Sequence, residues 1–285
     1  MKHIIRHATL SGIFALASLG CGEPLKEAQR IEEPRVLGVR IEGESGSSEV
    51  APGEQMELTL LLAGPEGPVD AEIAFRACVG KGTERGVPEC GEAPFLEGTA
   101  LASDFPFSAE LPLTIALGAR IVILGVACVG SEPSFAEDPR DWRCRDGDSP
   151  LRFSFETTAA SGSERNRNPE LEEVTAQISG TSLQLDDTLA APSCEQDRAT
   201  VAADQTHEMR IELGPEAFEA GEELQVSLFS TGGHLDRQFT FLEQGQTSFL
   251  IEFEASSAEK ALKQYLVVRD SRGGVSWVTW SFCQR

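Results

Sequence analysis

The stretch that decides the fold is YLVVRDSRGGVSWVTWSF, residues 265–282. Two runs rich in β-branched and aromatic side chains, 265–268 and 275–282, flank a polar segment that ends in Gly273 and Gly274. Runs of this composition, separated by turn residues, are typical of antiparallel β-strands. The C-terminal end of the chain is therefore predicted to contain two strands joined by a turn.

Segments of the same kind recur along most of the chain. Apolar and polar residues alternate in 56–62 and 73–77, and glycines and prolines interrupt the runs at short intervals. A period of two predicts strands that bury one face. The other strands predicted in this way cover 36–41, 152–156, 174–178, 209–213, 224–229 and 249–253.

The segment ARIVILGVACVG, residues 119–130, is apolar throughout. It is well short of the roughly 20 residues that a membrane-spanning helix needs. A strand buried on both faces is therefore the favoured interpretation. No long amphipathic helix is predicted, and residues 258–264 allow two helical turns at most.

Residues 158–169, TAASGSERNRNP, show no apolar periodicity and have the composition of a linker. The predicted organisation is a first β-sandwich domain over 35–157, this linker, and a second β-sandwich domain over 170–285. Two blocks of about 120 residues, made of strands and turns, fit antiparallel sandwiches. The predicted fold class is therefore all-β.

The N-terminus has the features of an export signal. Lys2 and Arg6 precede the small and apolar segment 8–20, and no acid occurs before Glu23. A basic start followed by an apolar segment of this length is typical of a signal peptide, predicted here over 1–20. The segment is too short to stay in the membrane as a helix.

The sequence Ser18-Leu19-Gly20-Cys21 resembles the lipobox of bacterial lipoproteins. The resemblance implies cleavage after Gly20, lipid attachment at Cys21 and permanent membrane anchoring. Gly22, in place of an aspartate, implies transfer to the outer membrane, facing either the periplasm or the cell surface. Ser18 and Leu19 depart from the usual order of a leucine and then a small residue, so an ordinary signal peptide cut nearby is the alternative.

Residues 21–34 form the predicted lipidated tether. From residue 22 onward the segment is polar and shows no strand alternation. Fully extended, it would hold the first domain about 40 Å from the lipid.

Cysteine usage indicates an oxidising compartment, because an even set remains once Cys21 carries the lipid. The remaining cysteines, all predicted to form disulfides, are Cys78, Cys90, Cys128, Cys144, Cys194 and Cys283. The same residues, Ala-Cys-Val-Gly, surround Cys78 and Cys128, and each is followed by a second cysteine after one turn-rich loop. This favours Cys78–Cys90 and Cys128–Cys144 over the rival Cys78–Cys128. Cys194–Cys283 remains for the second domain, and free buried thiols are the alternative.

The chain is strongly acidic, with 24 basic and 46 acidic residues. Cleavage would remove Lys2 and Arg6 and no acid, which leaves 22 bases against 46 acids and a net charge near −24. Nucleic acids and anionic lipid surfaces are bound by clustered Lys and Arg, so both classes of partner are excluded. The charge predicts a soluble surface that repels other copies.

Two short segments, GEQMELTL at 53–60 and GEELQVSL at 221–228, match position by position. The turn at 50–53 resembles one that leads into an early strand of bacterial immunoglobulin-like domains. Residues 265–282 resemble the final hairpin of immunoglobulin-like and PKD-like domains. The resemblance implies two related immunoglobulin-like domains and a tyrosine corner at Tyr265. The whole arrangement resembles uncharacterised surface lipoproteins of gliding and predatory soil bacteria.

No catalytic constellation is predicted. After cleavage the histidines that remain are His207 and His234, both in polar sequence and expected in solvated loops, and no Gly-x-Ser-x-Gly motif occurs. The histidine spacing does not predict a zinc site. The acidic loop 137–148 is a calcium candidate, but its spacing matches no EF-hand and arginines interleave with the acids. A salt-bridged loop is favoured, so neither a metal site nor a cofactor is predicted.

Trp277 and Trp280 lie three residues apart on the last predicted strand and therefore face opposite sides. Trp280 shares a face with Val278 and Phe282 and is predicted to lie in the core. Trp277 is a candidate for stacking on a sugar or another partner, or for packing against the other domain.

These features predict a lipid-anchored outer-membrane protein that acts as a non-enzymatic binding, adhesion or envelope-structural module. The expected partners are the membrane, through the N-terminal lipid, and a protein or glycan surface. The alternative is a periplasmic enzyme accessory or a divergent hydrolase that uses carboxylates alone. Such an enzyme should show a deep pocket in which two acids with separated pKa values converge.

Overall fold

The computed structural model describes residues 28–84, 87–147, 149–186, 191–194, 198–256 and 260–285. The predicted signal peptide over 1–20 and the lipid-attachment residue Cys21 lie outside these ranges. The described residues form β-strands and short 3-10 turns and contain no α-helix. None of them belongs to a helix that is long and apolar enough to cross a bilayer.

The first domain is a sandwich of two antiparallel sheets. The first sheet contains β1 (Arg35–Glu42), β2 (Gln55–Gly64), β3 (Gly67–Pro68) and β7 (Phe107–Glu110). The second sheet contains β4 (Glu72–Glu84), β5 (Val87–Cys90), β6 (Leu96–Leu101), β8 (Arg120–Cys128) and β11 (Leu151–Thr158). In the first sheet β2 pairs with each of the others, and the second has the order β11-β8-β4, with β5 and β6 both on β4. A separate small hairpin joins β9 (Pro133–Ser134) and β10 (Arg143–Cys144).

The second domain is also a two-sheet sandwich. Its first sheet contains β12 (Thr175–Ile178), β13 (Thr181–Leu183), β15 (Thr206–Glu212), β17 (His234–Leu235) and β19 (Ser248–Glu254), in the order β13-β12-β15-β19-β17. Its second sheet contains β14 (Thr200–Val201), β16 (Glu223–Ser230), β18 (Phe239–Glu243), β20 (Lys260–Asp270) and β21 (Val275–Gln284), in the order β14-β21-β20-β16-β18. The 3-10 turns of the two domains cover Glu44–Gly46, Ala102–Asp104, Pro139–Asp141 and Pro215–Ala217.

The two domains share one arrangement of strands. The row β1-β2-β7 of the first domain corresponds to β12-β15-β19 of the second, and β11-β8-β4-β6 corresponds to β21-β20-β16-β18. Seven strands divided in this way between two facing antiparallel sheets form an immunoglobulin-like sandwich. The predicted fold class, all-β with immunoglobulin-like sandwiches, is confirmed.

Each core forms where alternating side chains of the two sheets meet. In the second domain Met209, Phe253 and Trp280 are fully buried between the sheets, as predicted for Trp280. In the first domain β8 is buried along both faces, as the apolar run 119–130 predicts. The prediction of up to two helical turns over 258–264 is wrong, because residues 260–264 begin the long strand β20.

The two matching Gly-Glu segments form the same turn. Gly53 and Gly221 have φ values of +85° and +82°, which favour glycine. Glu54 accepts a hydrogen bond from the backbone N–H three residues earlier and donates its own N–H to that residue's carbonyl, and Glu222 does the same. However, the turns precede β2 and β16, and β16 corresponds to β4. The resemblance therefore belongs to a local turn and does not mark equivalent strands.

The sandwiches pack against each other through an apolar domain interface. The outer face of β16, β20 and β21 covers the outer face of β1 and β2. The buried members of this interface are Ile31, Leu37, Leu61, Ala63, Phe229, Tyr265, Val267 and Val275. Strand β20 is thus buried on both faces, which explains its apolar run at 265–268.

The linker 158–169 is fixed between the domains by two buried asparagines. Asn166 donates to the Ser48 hydroxyl at 2.7 Å and to the Asp270 carboxylate at 3.0 Å. Asn168 donates to the Ile41 carbonyl at 2.8 Å and accepts from the N–H of Val275 at 2.9 Å. Each asparagine therefore bonds to both domains. Buried amides with these partners hold the junction rigid.

The end of the predicted tether is docked on the second domain. Ser230 accepts a hydrogen bond from the N–H of Ile31 and donates its N–H to the Gln29 carbonyl, at 2.9 and 3.0 Å. The Ile31 side chain is 1% exposed. Residues 29–31 thus belong to the folded body, which corrects the predicted end of the tether at residue 34.

Candidate functional site: a stapled cleft in the first domain

An open cleft of about 420 Å³ lies on the outer face of β4, β8 and β11. Its floor is formed by Leu124 and Gly125 of β8 and by Ser154 of β11. The β4–β5 hairpin forms one wall, with Lys81 and Glu89. The loop between β8 and β10, residues 129–142, forms the other wall. We call this site the stapled cleft.

A disulfide closes each wall of the stapled cleft. Cys78–Cys90 ties the β4–β5 hairpin, and Cys128–Cys144 ties the opposite loop, each with a Cα–Cα distance of 5.6 Å. The rival pairing of Cys78 with Cys128 does not occur, because Cys78 lies opposite Val122, six residues from Cys128 along β8. That spacing is about 20 Å along a strand.

The third predicted disulfide, Cys194–Cys283, is also present, with a Cα–Cα distance of 5.6 Å. It ties the segment before β14 to the last strand of the second domain. The structure thus contains the three disulfides that the sequence favours.

A buried tryptophan holds the loop wall on the sheet. Trp142 is fully buried against Ala74 and Val126, and its indole N–H donates to the Ala136 carbonyl at 2.8 Å. The Arg76 guanidinium lies 5.3 Å from the centre of the indole ring. Such a cation–π contact stabilises the ring beneath it.

Arg152 of β11 holds the same loop by donating hydrogen bonds to the loop's backbone carbonyls. Its guanidinium donates to the carbonyls of Pro139, Arg140 and Trp142 at 2.8 to 2.9 Å. These are charge-assisted hydrogen bonds, which are stronger than neutral ones. The wall is therefore held by a disulfide, a buried indole and an arginine.

The floor of the stapled cleft needs glycine at position 125. Phe153 lies opposite Gly125 in the β8–β11 register. A Cβ atom on residue 125 would lie 2.1 Å from an atom of the Phe153 ring. Any larger residue would therefore displace the ring, which is 8% exposed and belongs to the first core.

Two acids of the stapled cleft, Glu89 and Asp138, are paired with cations. Glu89 lies 3.2 Å from Lys81 and 3.7 Å from Arg140, while Asp138 contacts Arg140 at 2.8 Å. The hydrogen bond from the Arg140 side chain, followed by the bond from its backbone N–H, holds the pKa of Asp138 below its usual value. Asp138 is therefore ionised at neutral pH and is no proton donor.

The candidate calcium loop 137–148 has the arrangement of a salt-bridged loop. Asp141 pairs with Arg143 at 3.8 Å, and Arg145 pairs with Glu132, in addition to the Asp138 pair. In the part of the chain that the structure describes, no three His, Cys, Asp or Glu side chains are grouped to hold a metal ion. Asp148 lies outside that part.

Trp277 lies at the domain interface, which was the second of the two predicted placements. A Cβ on Gly38 of β1 would lie 3.2 Å from its ring, and the Arg40 guanidinium is 5.1 Å from the ring centre. Stacking of Trp277 on a ligand remains a prediction, whereas its packing against the first domain is observed.

Two other predicted placements are wrong. The side chain of Tyr265 is fully buried in the domain interface, and its hydroxyl has no hydrogen-bond partner among the described residues, so no tyrosine corner forms. Burial raises the pKa of Tyr265 well above its usual value. His207 belongs to β15, is 7% exposed and bonds to Ser179 and to the Ala202 carbonyl, whereas a solvated loop was expected. His234 begins β17 and is exposed.

The chain matches no known protein family and no curated protein. Among solved structures it is similar to the D00-D0 domain of intimin, with 7% identity over 87% of this chain and 100% of that chain, and a TM-score of 0.26. The Yersinia pseudotuberculosis adhesin InvE has 8% identity over 86% of this chain and 58% of that one, with a TM-score of 0.23. A glycosyl hydrolase family 2 member from Bacteroides cellulosilyticus has 10% identity over 82% and 23%, with a TM-score of 0.23. At these scores the similarities add no argument about function.

Proposed function

We propose that the protein is an outer-membrane lipoprotein, anchored through lipid on Cys21, that acts as a non-enzymatic binding, adhesion or envelope-structural module. The observation that carries the binding role is the stapled cleft. Disulfides close both of its walls, and Trp142 and Arg152 hold one of them on the sheet. A site that is rigid before binding loses little conformational entropy when a partner enters.

The lining of the stapled cleft favours a polar partner on a protein or glycan surface. The wall and floor offer the side chains of Lys81, Glu89, Arg140 and Ser154, all with polar atoms. The exposed surface of the lining is otherwise mostly apolar. The charged and polar groups within it suit hydrogen bonds to a loop or to sugar hydroxyls.

The arrangement of the acids supports binding over catalysis. A hydrolase that uses carboxylates alone needs one acid that stays protonated near neutral pH. In the stapled cleft the pKa of Asp138 is lowered because Arg140 donates to its carboxylate, and Glu89 is paired with two cations. Asp138 and Glu89 are therefore poorly suited to proton donation.

The binding role is tested by filling the cleft. Ser154 is exposed on the floor, so Ser154→Trp places an indole in the cleft without disturbing the core. Ser248→Trp, on the exposed face of β19 in the second domain, is the matched control. On glycan and peptide arrays and on intact cells, Ser154→Trp should lose binding at least tenfold while the control retains it. Equal binding by both variants would refute the assignment to this cleft.

The anchoring is tested separately at Cys21. Cys21→Ser should abolish metabolic labelling with palmitate and release the protein from the membrane fraction. Labelling that is as strong in the Ser variant as in the parent chain would contradict lipid attachment at this residue.

A further inference from the structure

Two phenylalanines form an exposed aromatic pair on the edge of the second domain. Phe239 and Phe241 of β18 are 47% and 51% exposed, and their rings meet edge to face with centroids 5.6 Å apart. Among the strands that the structure describes, β18 is the last of its sheet and pairs with β16 alone. We call these residues the phenylalanine pair.

The phenylalanine pair lies on the outer face of the sheet. Phe239 is opposite Ser227 and Phe241 is opposite Gln225, whereas Leu224 and Val226 of β16 point into the core. Residues that lie opposite each other in a sheet share a face. This is the face that carries Phe229 and Tyr265 in the domain interface, so the phenylalanine pair lies on the same face of the sheet as that interface.

Residues 29–31 lie beside β16 on the same edge of that strand as β18. The N–H of Leu228 donates to the Gln238 carbonyl, and the N–H of Ser230, which points the same way, donates to the Gln29 carbonyl. Arg30 pairs with Ser230 in the parallel direction. The chain therefore approaches Gln29 from the end of β16 where β18 lies.

The distances place the phenylalanine pair within reach of the anchor. Phe239 lies three register positions from Ser230, and Phe241 lies five, which corresponds to about 10 and 17 Å along the strand. Ala28 is seven positions after Cys21, with six residues between them. Fully extended, this stretch spans at most about 25 Å.

We infer that the phenylalanine pair docks on the lipid surface to which the chain is anchored, so that the β18 edge faces the membrane. This inference rests on the proposed lipid attachment at Cys21. Exposed aromatic rings insert favourably at the boundary between headgroups and acyl chains. A second copy of the chain is disfavoured as the occupant, because the chain from Cys21 onward has 22 bases against 46 acids, a net charge near −24, and two copies repel each other. A zwitterionic bilayer carries no such repulsion.

The test couples the chain from Cys21 onward to maleimide lipid in phosphatidylcholine vesicles. The other six cysteines are in disulfides, so Cys21 supplies the thiol. This coupling does not depend on lipidation in cells, and a failure of the proposed anchoring is therefore distinguishable from a failure of docking. Phe241→Trp provides the probe. Leu250→Trp, at a 41% exposed residue on the outer face of the other sheet, is the control.

Vesicles with brominated acyl chains should quench the added Phe241→Trp emission by at least half and leave the added Leu250→Trp emission unchanged. The native tryptophan signal of the parent chain is subtracted in both cases. Equal quenching at both positions, or none at 241 in protein that floats with the vesicles, would overturn the inference. If the Phe241→Trp emission is blue-shifted and protected from aqueous acrylamide without vesicles, the occupant of the phenylalanine pair is the chain segment that precedes Ala28, and the inference is overturned. If the protein dimerises in sedimentation equilibrium and Phe241→Ser abolishes the dimer, the occupant is a second copy, and the inference is likewise overturned.

Discussion

Replacing Tyr265 with phenylalanine removes a hydroxyl that is fully buried in the domain interface and has no partner among the described residues. In the unfolded chain this hydroxyl is hydrated, so folding strips it of water without a compensating bond. The substitution keeps the ring and its packing against Phe229 and Val267. Tyr265→Phe should therefore stabilise the protein.

The magnitude follows from the cost of burying an unpaired hydroxyl. Mutational data place that cost at about 1–3 kcal/mol. Some relaxation around the hydroxyl offsets part of it, so we expect a gain of about 1–2 kcal/mol in the free energy of unfolding. For a chain of this size each kcal/mol raises the melting temperature by about 2–4 °C.

Thr279 provides a matched control at the position directly opposite. It pairs with Tyr265 in the β20–β21 register, is 1% exposed, and donates its hydroxyl to the Asp186 carbonyl at 3.1 Å. Thr279→Val should cost about 1 kcal/mol, because it breaks a satisfied buried hydrogen bond. Urea unfolding followed by tryptophan fluorescence and circular dichroism measures both variants. A loss of stability in Tyr265→Phe similar to that in Thr279→Val would refute the reasoning.

Burial, followed by the charges of Asp270 and Glu219, raises the pKa of Glu222, so its ionised form is disfavoured in the folded state. Glu222→Gln should therefore stabilise the protein at pH 7 and lose this effect as the pH falls to about 4, where Glu222 is protonated in both states, as measured by urea unfolding across pH. Serine substitution of both Cys194 and Cys283, which are 89 residues apart, should lower the free energy of unfolding by about 4–5 kcal/mol. The same change at Cys128 and Cys144, which are 16 residues apart, should lower it by about 3 kcal/mol. Equal losses would contradict the loop-length argument. Millimolar calcium should leave the melting temperature unchanged, since a site at 100 times its dissociation constant would add about 2.7 kcal/mol.

The fold class could be predicted because strand periodicity is a local property of the sequence. The final hairpin runs from β20 to β21, as the stretch 265–282 predicts, and β8 is buried on both faces. β18 was not predicted, because its phenylalanines alternate with Thr240 and Leu242 and leave no clear polar face. Residues 260–264 were misjudged as helical because their apolar and polar residues do not alternate.

The candidate site could be predicted in part. The repeated Ala-Cys-Val-Gly context favoured the two disulfides, and both close the stapled cleft. That the two disulfides lie near opposite ends of β8 depends on the pairing of β4 with β8, which no local pattern encodes. The environment of Tyr265 was missed for the same reason, since its partner surface comes from Leu37 and Leu61 of the other domain.

The docking of residues 29–31 on Ser230 has a mechanical consequence. A pull on the N-terminus is resisted by contacts with both domains: Arg35 of β1 donates to the Ala28 carbonyl, and residues 29–31 make two backbone hydrogen bonds to Ser230 and one from Gln29 to the Leu235 carbonyl. Because residues 29–31 run alongside β16, these bonds are loaded together in shear and do not open one after another. Tension at the anchor would thus enter at the domain interface, through β16 of the second domain and β1 of the first, and not through the sheet that carries the stapled cleft. The stapled cleft would keep its shape while the anchor carries the load.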